Sequence, residues 1–206
     1  MTKTVLVTAF EPFGGDMINP TRLILERLPG SICGAEIKKL LLPVEFIRAG
    51  TLAVYEAARL RPDAVVCLGQ AGGRSAVTPE LTAYNLADAR IPDNAGRQPS
   101  GEPIEPGGPE SVDSRLPVWD VIAHIRALGL PAQISFSAGR YVCNDLMYRV
   151  LRGVDGSIPA GFIHVPFMRE QVEGVPEREN APFMESEDMQ RAVEAAIEAV
   201  VRRING

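Results

Sequence analysis

One cysteine, set in Phe136-Ser137-Ala138-Gly139-Arg140-Tyr141-Val142-Cys143-Asn144, has the best-placed reactive side chain in this 206-residue chain. The run reads as a strand end, a small-residue turn and then Cys143 in the first turn of a helix. Ala132 to Ser137 has the short, partly apolar character of a buried strand, while Val142, Leu146, Val150 and Leu151 recur at helical spacing. A thiol in that position meets unpaired backbone N–H groups and the positive end of the helix dipole, which favour thiolate by lowering its pKa. The same N–H groups can stabilise an oxyanion when the thiolate attacks a carbonyl. This is the layout of a nucleophile. The commoner fate of a free cysteine is inert burial, and that is the expectation for Cys33, in a Gly-flanked loop, and for Cys67, inside Ala64-Val65-Val66-Cys67-Leu68.

A nucleophilic thiol needs a base, and the base an orienting acceptor. The chain has two histidines. His124 lies mid-helix between Ile122 and Ile125, in a structural or solvent-facing position. His164 ends the strand pattern Gly161-Phe162-Ile163-His164-Val165-Pro166, at the edge where sites of α/β sheets lie, although a strand-terminal histidine is also a common structural element. Of many acidic candidates the strongest is Glu80, in the glycine-rich loop Gly69 to Glu80 that leaves a buried strand at its carboxyl end. The alternative for Glu80 alone is a solvated loop carboxylate. The loop lacks Gly-Lys-Ser/Thr and so is not a phosphate-binding loop.

The elements that must position these residues alternate. Thr4 to Ala9 is a strand, Asn19-Pro20 caps and starts a helix, and Glu36 to Leu42 is a second strand. A helix from about Val44 to Leu60 precedes a buried strand over Asp63 to Gly69. Residues 91–117 are dense in Pro, Gly and Asp and read as a lid, arm or partner-binding loop. Helices follow over Val118 to Leu128 and after Cys143, then a strand over Ala160 to Val165. Ser186 begins a terminal helix with the apolar stripe Met189, Val193, Ile197, Val200, Val201 and Ile204. This order implies a mostly parallel sheet covered on both faces, and no linker or repeat divides residues 1–206. A net charge of −5 without a basic block argues against nucleic-acid binding, and three cysteines argue against a disulfide-stapled secreted domain. With no membrane-length apolar run and no leader pattern before Val5, the expectation is a cytoplasmic protein.

Together these residues resemble the pyroglutamyl-peptidase I (pyrrolidone-carboxylate peptidase) family. The resemblance rests on Val7-Thr8-Ala9-Phe10-Glu11-Pro12-Phe13-Gly14-Gly15 with Asn19-Pro20, on Gly69 to Glu80, on Ala89-Arg90-Ile91-Pro92-Asp93-Asn94, on Ser135 to Asn144 and on Phe162 to Pro166, in the family's order. It implies that Glu80, Cys143 and His164 are the catalytic residues and that the fold is a single-domain three-layer α/β/α sandwich with a mostly parallel twisted sheet. The activity it implies is removal of N-terminal pyroglutamate from peptides, by a homotetramer without metal or other cofactor.

A neutral lactam substrate needs an apolar slot with partners for the ring N–H and carbonyl. Phe10 and Phe13 are the candidate walls, with Val142 beside the nucleophile and Gln70 and Asn19 as polar contacts. Core packing and cap bonding are the alternatives for these residues. The chain departs from the family pattern after Glu80, where Leu81-Thr82 replace a basic and an apolar residue, so Glu80 is expected to lack a competing cation. Two other classes stay open on the residues alone: a catalytically impaired pyroglutamyl-peptide binding protein of the same fold, and a redox-active thiol protein, for which no CxxC is present.

Overall fold

The computed structural model describes residues 2–206. In chain order the elements are β1 (Thr4–Phe10), α1 (Pro20–Arg27), β2 (Ser31–Ile32), β3 (Ala35–Leu42), α2 (Arg48–Leu60), β4 (Ala64–Gln70), β5 (Thr78–Pro79), β6 (Thr82–Tyr84) and β7 (Ser111–Asp113). They continue with α3 (Val118–Ala127), α4 (Val142–Gly153), β8 (Ala160–Val165), β9 (Phe167–Met168), β10 (Phe183–Met184) and α5 (Ser186–Asn205). The main sheet has the order β2-β3-β1-β4-β8-β5. Strands β3, β1, β4 and β8 run parallel, β2 pairs antiparallel with β3, and β5 antiparallel with β8.

Side-chain alternation sorts the core into two layers, one on each face. Val5, Val7 and Ala9 of β1, Ala64, Val66 and Leu68 of β4, and Ile163 and Val165 of β8 pack against α1, α3 and α5. Leu6 and Phe10, Val65 and Cys67, and Ala160 and Phe162 pack against α2 and α4. The result is the three-layer α/β/α sandwich expected. Residues 69 and 164, two steps beyond Cys67 and Phe162, therefore lie under α4.

Four local expectations change. Ala132 to Ser137 is not a strand: only Ala132 and Ser135 make isolated bridges, to Val77 and Glu80, and Phe136 is 65% exposed. Pro131 lacks an N–H at the entry, and too few apolar side chains follow to hold a buried ladder. Helix α2 begins at Arg48, not near Val44, because Ile47 adopts φ 67° and leaves the helical region. Cys33 is exposed in the β2–β3 turn, with φ 48°, instead of filling the core. Residues 91–117 include β7, which pairs with β6.

Candidate active site

Strand register brings the candidates together. In the β4–β8 ladder Gly69 sits opposite His164, and in the β5–β8 ladder Thr78 sits opposite His164 from the other side. A Cβ built on Gly69 would stand 3.1 Å from Cys143 Sγ and 2.6 Å from the Phe162 ring, so the sulfur lies over Gly69, the ladder partner of His164, in space that only glycine leaves open. Cys143 itself is the second residue of α4, as its spacing predicts. The cap residue Tyr141 offers no side-chain acceptor to the first N–H groups, and the Cys143 N–H lies towards its own sulfur.

His164 Nδ1 lies 2.6 Å from Glu80 Oε1, both side chains being essentially buried. With Glu80 ionised, Nδ1 carries the proton and Nε2 is left as the basic nitrogen. Burial opposes ionisation of Glu80, but the His164 hydrogen bond and charge, with help from Arg74, hold its carboxyl below the ordinary value. Burial also lowers the pKa of His164, outweighing the Glu80 hydrogen bond that raises it. The imidazole is thus neutral near pH 7, tilted against the Phe162 ring at 4.7 Å between centroids.

The thiol departs from its expected state. Burial pushes the Cys143 pKa up to about 12, the Glu80 charge adds to this, and Arg74 and the Cys143 N–H only partly offset it. The helix terminus does not by itself yield a resting thiolate. These directions favour a thiol beside a neutral imidazole at rest.

Arg74 is the main residue that sequence reasoning missed. Its Nη1 donates to Glu80 Oε1 at 2.6 Å and also to Thr78 Oγ1, and Nη2 reaches Ser137 O at 3.5 Å. The signal was present, since positions 74, 78 and 80 share parity and can face one side of an extended segment. Glu80 therefore does have a competing cation, supplied from within the glycine-rich loop. Leu81 is not its substitute: Leu81 packs into the opposite core layer with α1, α3 and α5, and Thr82 Oγ1 donates to Asp113 Oδ1 at 2.8 Å. The expectation of a Glu80 free of cations is corrected.

A cleft of about 560 Å³ opens above this cluster, lined among others by Phe13, Gln70, Arg74, Ile91, Tyr141, Cys143 and His164. Phe13 and Gln70 thus reach the cleft as expected. Phe10, Val142 and Asn19 do not. Phe10 and Val142 are packed in the α2/α4 core layer. Asn19 is 1% exposed and spends its amide on the α1 cap, accepting from Thr21 N at 3.0 Å and donating to Glu11 O at 3.0 Å. The alternatives of core packing and capping hold for these three.

Gln70 is oriented by a second missed residue. Gln171 Nε2, on the buried side chain after β9, donates to Gln70 Oε1 at 3.0 Å, which leaves Gln70 Nε2 as a donor towards the cleft. Tyr141 closes the rim: its hydroxyl donates to Pro92 O at 3.0 Å and its ring packs edge-on to Phe46 at 5.3 Å. The start of the irregular segment is thereby tied across the α4 N-terminus. Asp93 holds it from below, accepting from Phe46 N at 2.8 Å and Arg97 N at 2.8 Å. Asn144, beside the nucleophile, has no exposure and faces away, donating to Tyr84 O and Leu86 O and accepting from Tyr84 N at 2.9 Å.

Among the described residues no group of three His, Cys, Asp or Glu side chains could hold a metal ion, and no helix is long and apolar enough to cross a membrane. What the cluster offers is a thiol, a neutral base with a fixed tautomer, and a helix N-terminus, all facing a cleft with an apolar wall. That arrangement suits acyl transfer.

Comparison with known proteins agrees. The chain is 46% identical over 200 residues to a pyrrolidone-carboxylate peptidase of Streptococcus pyogenes serotype M12, covering 96% of this chain and 92% of that protein. It is 44% identical over 201 residues to pyrrolidone-carboxylate peptidase 1 of Caldanaerobacter subterraneus, covering 96% and 98%. The fold matches the solved pyrrolidone carboxyl peptidase of Thermococcus litoralis with a TM-score of 0.93 and 38% identity, over 99% of this chain and 96% of that one. The family model described as pyroglutamyl peptidase matches residues 3–203. With sequence, fold and cleft in agreement, the chain belongs to the pyroglutamyl peptidase family of peptide hydrolases.

Proposed function

We propose that this protein removes N-terminal pyroglutamate from peptides by thiol catalysis, with Cys143 as nucleophile, His164 as general base and acid, and Glu80 as the group that orients His164. The observation that carries the reading is the position of Cys143 Sγ over Gly69, the ladder partner of His164, with His164 Nδ1 bound to a buried carboxylate. As the sulfur attacks the carbonyl joining pyroglutamate to the next residue, its proton passes to His164 Nε2. N–H groups at the start of α4 receive the oxyanion. His164 returns the proton to the leaving amine as the C–N bond breaks, leaving a thioester on Cys143. Water, deprotonated by His164, then releases pyroglutamate and restores the thiol.

The lactam ring lies against Phe13, Ile91 and Tyr141, and Gln70 Nε2, held by Gln171, donates to the ring carbonyl. A free N-terminal ammonium would have to be desolvated against that wall, which disfavours unblocked glutamine or glutamate. Residues 1–206 act as one catalytic unit in this reading. The homotetrameric assembly and cytoplasmic location that the family resemblance implies belong to the same proposal and are read by sedimentation and fractionation. The binding-only alternative loses its basis, because Leu81 faces away from Glu80. Release of a chromophore from a pyroglutamyl amide, abolished by a thiol-blocking reagent, is the expected result. Undiminished release after complete thiol blocking would refute it.

A further inference from the structure

Arg74 sits where a group could set the behaviour of the whole cluster without touching the reacting atoms. Its guanidinium binds the same carboxylate oxygen, Glu80 Oε1, that receives His164 Nδ1. The second oxygen, Oε2, is buried without a hydrogen-bond partner among the described residues, since Ser135 Oγ turns to Ser137 O at 3.3 Å instead. One oxygen therefore carries both contacts that hold Glu80, and Arg74 supplies one of them.

The loop that carries Arg74 is held in place. A Cβ at Gly72 would stand 2.1 Å from the Phe167 ring, so the chain runs directly against that aromatic face. The Phe167 ring is covered by the Arg178 guanidinium at 4.5 Å, and Arg178 pairs with Asp16 at 2.8 Å. Arg74 itself bridges Thr78 and Glu80 on one side of the cleft and reaches Ser137 O on the other. With 27% of its side chain exposed against none for Glu80, it closes the carboxylate off from water.

We infer that Arg74 is a positioning residue of the active site: it fixes the Glu80 carboxylate in the orientation that His164 reads and balances the buried negative charge that His164 and Cys143 would otherwise face. This rests on the proposed thiol mechanism and deepens it. A buried carboxylate left unbalanced opposes thiolate, and by stabilising imidazolium it leaves less of the neutral base that must take the Cys143 proton. The groups facing His164 are Glu80 beyond β5, Arg74 from the glycine-rich loop, Cys143 from α4 and the uncharged Phe162 ring on its own strand. Asp88, Arg90 and Arg140 lie at the cleft rim, where Arg140 pairs with Asp88 at 3.6 Å. Arg74 is the one cation in that set bonded to the carboxylate.

The inference is tested without turnover by following the two histidines in NMR pH titrations of the Cys143→Ala protein. His124, whose Nδ1 lies 2.8 Å from Asp120 O on α3, is the internal reference. Arg74→Gln is expected to raise the His164 midpoint by about one pH unit and leave His124 unmoved, and Arg74→Lys, which keeps the charge, to stay near the native midpoint. With Cys143 intact, Arg74→Gln should lower kcat about tenfold, change KM less than about twofold, and move the acidic limb of kcat/KM upward with the His164 midpoint. A His164 midpoint unaffected by Arg74→Gln, or a rise in KM with kcat and the limb unchanged, overturns the inference, the latter marking Arg74 as a substrate contact. If Arg74→Gln does not fold, Arg74→Lys decides alone: a native midpoint with reduced kcat supports the inference, and native kcat with altered KM refutes it. A native enzyme without hydrolase activity would refute the proposed function, while the titration would still judge Arg74.

Discussion

Gly69→Ala probes the packing that places the nucleophile. The added methyl would stand 2.6 Å from Phe162 Cζ and 2.7 Å from Cε1, inside the separation that carbon atoms tolerate, and 3.1 Å from Cys143 Sγ. Phe162 cannot readily yield: it is fully buried between Phe10, 6.5 Å away, and His164, 4.7 Å away. Overpacking of this kind costs about 1–3 kcal/mol, and replacing a strand glycine by alanine returns about 0.5–1 kcal/mol of chain entropy. The expected net loss is therefore about 0–2.5 kcal/mol in a urea melt. The sulfur meets the methyl directly and the imidazole packs on the pressed Phe162 ring, so kcat should fall on the order of 100-fold, the effect of about 1 Å of misplacement. Gly153→Ala is the control, because its added methyl would stand 2.7 Å from Val54 between α4 and α2 and neither residue lines the cleft. It should lose stability with kcat reduced less than about tenfold. A Gly69→Ala enzyme with native kcat, or one no slower than Gly153→Ala, would refute the placement of Cys143 over β4.

Three further outcomes follow from particular contacts. Asn144→Ala leaves Tyr84 N, Tyr84 O and Leu86 O without their buried partner, and should cost about 2–4 kcal/mol by urea denaturation; a loss under about 0.5 kcal/mol would contradict those bonds. Leu81→Arg puts a charge into the layer shared with α1, α3 and α5, so it should destabilise by about 1–2 kcal/mol and leave the acidic limb of kcat/KM in place; a shifted limb would show that position 81 does reach Glu80. His164 has a native pKa below its ordinary 6.5, so between those two values the unfolded chain binds more protons and stability must fall as pH falls through that window. His164→Gln should flatten this part of a Tm-against-pH profile. The lowered pKa of Glu80 acts separately: its contribution is present above the ordinary 4.5 and is lost as pH falls through the native value.

The layered fold was legible because its buried strands announce themselves. Ala160 to Val165 coincides with β8, Thr4 to Ala9 and Asp63 to Gly69 fall within a residue of β1 and β4, and the α5 stripe is buried from Met189 to Val201. Ala132 to Ser137 was not legible, because a half-apolar run after a proline has the composition of a strand without the partners to form one. Glu80, Cys143 and His164 could be picked out by residue type and by position at element ends, and the structure gathers them at one sheet edge. Arg74 and Gln171 act through other side chains across the fold, which spacing alone cannot reveal. The state of the thiol was misread for the same reason: the helix terminus is visible in sequence, whereas the burial and the Glu80 charge that oppose it exist only once the chain is folded.

The central claim is that hydrolysis passes through a thioester on Cys143. Rapid acid quench of the enzyme with a pyroglutamyl amide, followed by peptide mapping by mass spectrometry, reads it directly. The account predicts a pyroglutamyl adduct on the peptide containing Cys143, absent from Cys143→Ala, with the Cys33 and Cys67 peptides unmodified. An adduct on another residue, or continued turnover by Cys143→Ala at a native rate, would contradict it.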